Sequence, residues 1–216
     1  MLQCLPNQKT HSDLSLKVVS ALQAQPNLLM NVKKLQLHGN PWRQMSSKHI
    51  YENPWLKVEE DEVINPGGGN SCYGKILFKN LAIGIIPLDE DNNTWLVGQY
   101  RYVPDCYSWE IPMGGGPLNI DPLESAQREL KEETGLTAQH WEKLMQLHTT
   151  NSVTDERALV YVARGLSEGE TAFEETEDLQ IIKLPLSEAI DHVLEGEITD
   201  AITVAALLKL NHKGLK

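Results

Sequence analysis

No apolar run in this 216-residue chain approaches the roughly 20 residues that a membrane-spanning helix needs, so no membrane span is expected. Residues 1–30 also lack the basic-then-apolar order of a secretion signal. Cysteine is scarce. Cys4, Cys72 and Cys106 are widely spaced, odd in number and without a C-x-x-C pair. That speaks against a disulfide framework or a zinc site, and for a reducing, cytoplasmic setting. Basic residues are outnumbered, 19 Lys and Arg against 30 Asp and Glu, for a net charge of −11. Such a chain repels nucleic-acid backbones and anionic membranes, so neither is expected as a partner. A small anionic substrate would need local cations to hold it. Several catalytic signatures are missing as well. The histidines form no H-E-x-x-H, no serine stands in G-x-S-x-G, and no G-x-x-x-x-G-K-[ST] occurs. His148 reads as a loop or strand-end residue.

What is present is a globular composition, 41% hydrophobic and 23% charged. At this length it suits one domain with a full core, or one domain plus an appendage. The boundary is expected after residue 41. Residues 1–41 carry no catalytic constellation. Residues 13–25 suit an amphipathic helix with Leu14, Val18, Ala21 and Leu22 as its stripe, and residues 28–37 offer a weaker apolar segment. Two readings stand: an accessory helical arm, or a poorly ordered leader ahead of a start at Met30 or Met45. Over 42–216 the pattern turns to strands, at 55–63, 72–79, 81–88, 94–102, 141–148, 158–163 and 179–184. Residues 65–70, N-P-G-G-G-N, read as a hairpin turn between the first two strands. A phosphate cradle would want a helix after those glycines. Residues 149–156 and 165–178 read as loops, the second acidic. Helices are expected over 187–194, with Ser187 as cap, and from an Asp200 cap to about Leu210. Strands, a helix, more strands and two helices predict a mixed sheet with helices on its faces.

Residues 109–136, WEIPMGGGPLNIDPLESAQRELKEETGL, hold the chemistry. They read as a glycine loop, a helix and a glycine stop. Asp121 can cap the helix, Pro122 suits its first position, and Glu124 stands where a capping-box acid belongs. Gly135 suits the left-handed position just past its end. Leu123, Ala126, Leu130 and Thr134 would face a core, while Glu129, Glu132 and Glu133 share another face. Hard divalent cations choose carboxylate oxygens, and Mg²⁺ combines a few carboxylates with substrate phosphates and waters. Gly114 and Gly115 would let backbone come close to such a centre, which suits attack of water on a phosphoanhydride. The competing reading is an exposed acidic helix face. Arg101, between Tyr100 and Tyr102, either holds phosphate with the tyrosines stacking a base or is an edge-strand arginine beside packed tyrosines.

The arrangement resembles the Nudix box, G-x5-E-x7-R-E-U-x-E-E-x-G-U, with U aliphatic. Gly114 stands first, Arg128-Glu129-Leu130 is R-E-U, Glu132-Glu133 is E-E, and Gly135-Leu136 closes it. Ile120 stands where the pattern has its first glutamate, a residue that in the family mainly supports the loop and helix. The likeness extends over about residues 42–210. K-H-I-Y-E-N-P-W-L-K-V from Lys48, Q-Y-R ending at Arg101, W-E-I-P-M-G from Trp109, T-D-E ending at Glu156 and E-I-T-D-A from Glu197 look like the ADP-ribose pyrophosphatase branch. The resemblance implies an α/β (α+β) Nudix α/β/α sandwich with a mixed β-sheet, often a homodimer. It implies Mg²⁺-dependent cleavage of ADP-ribose to AMP and ribose 5-phosphate, with Mn²⁺ as a substitute metal. Glu129 and Glu133 would ligate metal with Glu132 alongside, and the Met113 carbonyl would be a further ligand. Arg128 would orient the box through ion pairs. Arg101, Glu110, Gly114, Gly115 and Glu156 would lie at the substrate. The general base would come from the 165–178 loop, as Glu175 or Glu177 ahead of Glu174.

Where the branch commonly reads P-G-x-x-D/x-E, residues 151–156 read N-S-V-T-D-E. ADP-ribose is therefore the first expectation among nucleoside diphosphate sugars. Another nucleotide sugar or a dinucleotide is the alternative, and so is a nucleotide-binding module with weakened catalysis. Glu156 and Arg157 are either a substrate contact or a loop ion pair.

Overall fold

The computed structural model describes residues 34–170 and 179–214. The helix expected over 13–25, most of the segment 28–37, Cys4, and Glu174, Glu175 and Glu177 lie outside the described residues. Contacts divide the chain between Pro41 and Trp42, and every element named below belongs to the unit Trp42–Lys216.

Three antiparallel strands come first: β1 (Arg43–Glu52), β2 (Leu56–Ile64) and β3 (Asn70–Phe78), in the order β1-β2-β3. The glycine-rich run between β2 and β3 is a hairpin turn. The Asn65 side-chain oxygen accepts the N–H groups of Gly67 and Gly69, both at 3.0 Å. This is the local bonding by which asparagine favours turns. In chain order there follow β4 (Asn80–Pro87), β5 (Asn93–Arg101), β6 (Cys106–Glu110), β7 (Met113–Pro117) and helix α1 (Pro122–Thr134). Then come β8 (Thr137–His148), β9 (Arg157–Ser167), β10 (Gln180–Pro185), α2 (Leu186–Leu194) and α3 (Ala201–Lys213).

A four-stranded sheet runs β7-β4-β9-β8, and a three-stranded antiparallel sheet runs β10-β5-β6. Strands β4 and β9 pair in parallel, while β7 and β8 add antiparallel, so the sheet is mixed as expected. The two central strands are apolar on both faces, the signature of strands covered on both sides. Alternation sorts them. Ile86, Ala158, Val160 and Val162 pack under α2 and α3 with Ala189, Ile190, Ile202, Ala206 and Leu207. Ile83, Ile85, Leu159, Tyr161 and Ala163 pack under α1 with Ala126 and Leu130. Two cores on opposite faces of one sheet make the α/β/α sandwich.

Helix α1 has the expected ends. The Asp121 carboxylate accepts the Leu123 N–H at 2.9 Å. Gly135 stands left-handed at φ 72°. A β-carbon there would come within 2.5 Å of the Gly169 carbonyl oxygen, so glycine is needed both for the turn and for the contact. Other boundaries differ from expectation. The glycines 114–116 form part of an edge strand, not a loop, because their backbone pairs with residues 81–83 of β4. Strand β9 continues to Ser167, shortening the acidic loop, and β8 starts at Thr137 because it pairs with β9 throughout. Helix α2 begins at Leu186, one residue before Ser187, after Pro185 and with no side-chain cap.

One turn carries a measurable charge. Between β4 and β5 the Asp89 carboxylate accepts the N–H groups of Asp91 (3.0 Å) and Asn93 (2.7 Å) and pairs with Lys183 at 2.8 Å. Burial alone would raise its pKa. The bonds from Lys183 and Asn93 outweigh burial and hold it at about 2, against an ordinary 3.8. A depressed carboxylate stabilises the fold fully above its unfolded pKa, and that contribution fades as pH falls through the folded value. Asp89→Ala should be less stable than the parent at pH 7 by about 1–3 kcal/mol in chemical denaturation, the range for bonds to a charged group. The gap should narrow between about pH 4 and pH 2. An equal gap at both ends would show that the charge has no part in it.

Candidate active site

Helix α1 lays Glu129 and Glu133, one turn apart, against strand β7. They are 7% and 2% exposed. Burying a carboxylate costs several kcal/mol unless it is bonded or paired, and two such groups on one face repel. The partners are specific. The Met113 N–H, at the start of β7, donates to Glu133 Oε2 at 2.9 Å. The Arg128 guanidinium donates to Glu129 Oε1 (2.6 Å), to Glu132 Oε2 (2.6 Å) and to the Gly115 carbonyl (2.9 Å). Arg128 thus ties helix to strand. Gly114 has a steric reason: a β-carbon there would fall onto the Glu129 carboxylate. Glu132 is half-buried and turned to Arg128. Ile120 is exposed, in the turn that leads from β7 to the Asp121 cap.

An open cleft of about 750 Å³ lies beside this helix–strand contact. Met113, Gly114 and Gly115 form one wall, and Arg101 and Glu110 stand in it. Glu110, only 3% exposed, receives both Nε and Nη2 of Arg101, the first at 2.9 Å. The two partners are the ends of paired strands: β5 ends in Arg101 and β6 in Glu110. Glu110, chiefly by this hydrogen bond, raises the Arg101 pKa above its ordinary value. The arginine therefore stands oriented and permanently charged at the cleft. Its neighbours are not packed. Tyr100 is 61% and Tyr102 93% exposed, and the Tyr100 hydroxyl donates to Asp105.

The far wall is the 149–156 loop. The Thr149 hydroxyl donates to Glu156 Oε2, and both residues line the cleft. No ion pair joins Glu156 and Arg157 among the described residues. The loop is held from outside by β3. The Ile76 N–H donates to the Val153 carbonyl (3.0 Å), and the Asp155 N–H to the Ile76 carbonyl (3.2 Å). The Asp155 carboxylate accepts the Phe78 N–H at 2.7 Å. Trp55, Phe78 and Asp200 complete the lining.

The cleft thus collects Arg101, Glu110, Met113, Gly114, Gly115 and Glu156, with Glu129, Glu133 and Arg128 directly behind its wall. Among the described residues no group of three or more His, Cys, Asp or Glu side chains forms a metal cluster. Two carboxylates of hard oxygen do suit a hard divalent cation, whose remaining ligands are commonly phosphate oxygens and water. Gly114, with no side chain to crowd Glu129, keeps that carboxylate approachable. Thr149, Trp55 and Asp200 were not singled out by sequence as site residues. Thr149 reads as one hydroxyl in a polar loop, and only the pairing of that loop with β3 carries it to the cleft.

Comparison with known proteins agrees with this geometry. Residues 78–207 match the NUDIX domain, and residues 42–75 match the nucleoside diphosphate sugar hydrolase N-terminal domain. The ADP-ribose pyrophosphatase of Mycobacterium tuberculosis is 33% identical over 170 residues, covering 77% of this chain and 82% of that protein. The methanol dehydrogenase activator of Bacillus methanolicus is 33% identical over 167 residues, covering 76% and 90%. A crystal structure of an ADP compounds hydrolase superposes with a TM-score of 0.72 over 84% of this chain and 96% of its own. At 22% identity that likeness speaks for the fold. With the box helix laid on its glycine strand and these matches along most of its length, the chain belongs to the Nudix family of hydrolases.

Proposed function

We propose that the protein hydrolyses the pyrophosphate of a nucleoside diphosphate sugar, and that ADP-ribose is cleaved to AMP and ribose 5-phosphate. The observation that carries this is the pair of buried carboxylates, Glu129 and Glu133, set behind a cleft that also holds the preoriented Arg101. A diphosphate needs both: oxygen ligands for a divalent cation, and a fixed cation for the remaining charge. The names of the relatives and of the N-terminal domain support the substrate class.

Glu129 and Glu133 would hold Mg²⁺, with Mn²⁺ as substitute, and Glu132 alongside. A bound divalent cation would neutralise phosphate charge and make water more acidic. Arg128 keeps Glu129 in register with β7 and holds Glu132 beside it, while the Met113 N–H holds Glu133. Arg101, held by Glu110, meets a phosphate oxygen with its outer edge. The backbone at Gly114 and Gly115 lets the diphosphate lie close to the wall, and the Met113 carbonyl is the further ligand we assign. Water attacks one phosphorus, the bridging P–O bond breaks, and the proton goes to a carboxylate that we place at Glu175 or Glu177. The catalytic unit in this reading is 42–216, with 1–41 as an extension. The free thiols of Cys72 and Cys106 fit a reducing cytoplasm.

A second substrate reading has an observation of its own. The 149–156 loop is strapped to β3 and presents Thr149 and Glu156 to the cleft. That arrangement favours a sugar whose hydroxyls meet those two groups, so another nucleotide sugar is the alternative to ADP-ribose. We also infer a homodimer. Every residue of edge strand β1 is exposed, Met45, Ile50 and Tyr51 among them, which suits burial against a second copy.

With Mg²⁺ and a panel of ADP-ribose, nucleotide sugars, dinucleotides and nucleoside triphosphates, product analysis should show cleavage of diphosphate sugars, ADP-ribose among the best. Cleavage of triphosphates alone would overturn the substrate class. Glu133→Gln should keep the fold by circular dichroism while turnover falls by about two orders of magnitude or more, the usual effect of losing a charge-stabilising group. Near-parental turnover would remove Glu133 from the centre. Sedimentation equilibrium should give twice the chain mass, and Ile50→Asp with Tyr51→Asp should shift it toward one. A parental protein that sediments as a monomer at micromolar concentration would rule out the dimer.

A further inference from the structure

Thr203 is a polar residue with no exposed surface, in the first turn of α3. Its backbone N–H and its hydroxyl both donate to Asp200 Oδ2, each at 2.8 Å. A hydroxyl has one proton and two lone pairs, so the Thr203 oxygen remains an acceptor. It accepts the N–H of Ile111, 92 residues away, at 3.1 Å.

Ile111 and Pro112 are the two-residue connector between β6 and β7. Pro112 has no N–H, so the Ile111 N–H is the connector's single backbone donor. Its other fixed point is the Pro112 carbonyl, which accepts the Ile85 N–H at 2.8 Å. The residue before the connector is Glu110, which grips Arg101. The residue after it is Met113, whose N–H holds Glu133. One short peptide therefore carries both halves of the site, and Thr203 pins it to α3. The helix cannot drift from the connector, because the Ile111 and Ile202 side chains close on Gly84. They would stand 3.0 and 3.4 Å from a β-carbon built there.

We propose that Thr203 is a positioning residue of the hydrolase site: its hydroxyl sets the connector, and thereby the spacing between the Arg101–Glu110 pair and the Glu133 carboxylate. The inference rests on the hydrolase reading above. Thr203→Val has the same shape but leaves a fully buried Ile111 N–H without a partner. The connector must then move to find one, and shifts of about an ångström cost reactions of this kind up to roughly a hundredfold. Thr203→Ser keeps the hydroxyl.

The test measures kcat and KM for ADP-ribose with Mg²⁺, together with amide hydrogen exchange at Ile111. Thr203→Val should exchange faster at Ile111 and lose about tenfold or more in kcat/KM, mostly in kcat. Thr203→Ser should stay within about threefold of the parent, having kept the bond. Val204→Ala, a mild core change on the same helix, should lower the melting temperature and leave kcat unchanged. Thr203→Ala takes the place of valine, with the same expectations, if the valine protein does not fold. Parental kcat and KM in the hydroxyl-free variant would overturn the proposal, and so would a serine variant as impaired as valine. If the parent cleaves no substrate, the hydrolase reading falls, and the proposal is then judged by Mn²⁺ affinity measured by electron paramagnetic resonance. Severalfold weaker binding in Thr203→Val supports it, and unchanged binding overturns it.

Discussion

Two carboxylates one helical turn apart, buried under an edge strand, set the terms for the rest of this molecule. A domain of this size is stable by about 5–15 kcal/mol, and the penalty for one buried ion after relaxation is several kcal/mol. The surroundings of Glu129 and Glu133 have to answer that penalty. Strand β7 supplies the Met113 N–H to Glu133, and Arg128 bridges Glu129, Glu132 and the Gly115 carbonyl. Carboxylate oxygens gathered on one helix face also suit a divalent cation, which they match in hardness. The glycines follow from the same demand. Strand β7 can run past Glu129 only because Gly114 has no side chain, so the edge strand is both wall and support.

A second constraint concerns how Arg101, the proposed partner of the substrate's charge, is held relative to Glu133. Arg101 and Glu133 sit on different elements, one on β5 and the other on α1. The path between them runs through Glu110, the two connector residues and Met113. A connector of two residues between strands of two different sheets has little slack. With the Pro112 carbonyl bonded to Ile85 and the Ile111 N–H bonded to Thr203, it is fixed to the central sheet and to the C-terminal helix. The accuracy of the cleft is thus borrowed from the core, into which β4 and the inner face of α3 both pack.

The box helix was legible in the sequence because every signal for it is local. Asp121, Pro122 and Gly135 mark its ends, and Ala126 and Leu130 mark its inner face, all within a few turns. The central strands were legible because burial on both faces leaves an unbroken apolar run, as in residues 81–88. What could not be read depends on pairing at a distance. Residues 114–116 carry no side chains to alternate, so nothing local separates a glycine loop from an edge strand. Residues 137–140 are mostly polar and join β8 because β9 lies opposite. The expected cap at Ser187 failed because the chain passes from β10 straight into α2 at Pro185. Of the site, Glu129, Glu133, Arg101 and Glu110 carry charge, which stands out in a sequence. Thr149 and Thr203 carry only a hydroxyl, whose meaning depends on an atom 7 residues away in the first case and 92 in the second.

The 149–156 loop shows how the N-terminal sheet takes part in a site that lies in the Nudix fold. The loop has no proline or glycine to shape it. Instead it borrows the backbone of β3, which takes Thr154 as a parallel bridge partner at Ile76 and holds the Asp155 carboxylate on the Phe78 N–H. Those bonds determine where Glu156 and Thr149 face the cleft. Phe78 lines the same cleft, so the strand that sets the loop also supplies part of the surface a ligand would touch. In the proposed reading, selection of the sugar is then not a property of the loop alone. A change in how β3 lies would move the loop and the aromatic wall together. A change in the loop sequence that kept Asp155 would leave the frame in place and alter only what it presents. That division would let one scaffold keep the carboxylate-bearing helix unchanged while the opposite wall of the cleft changes.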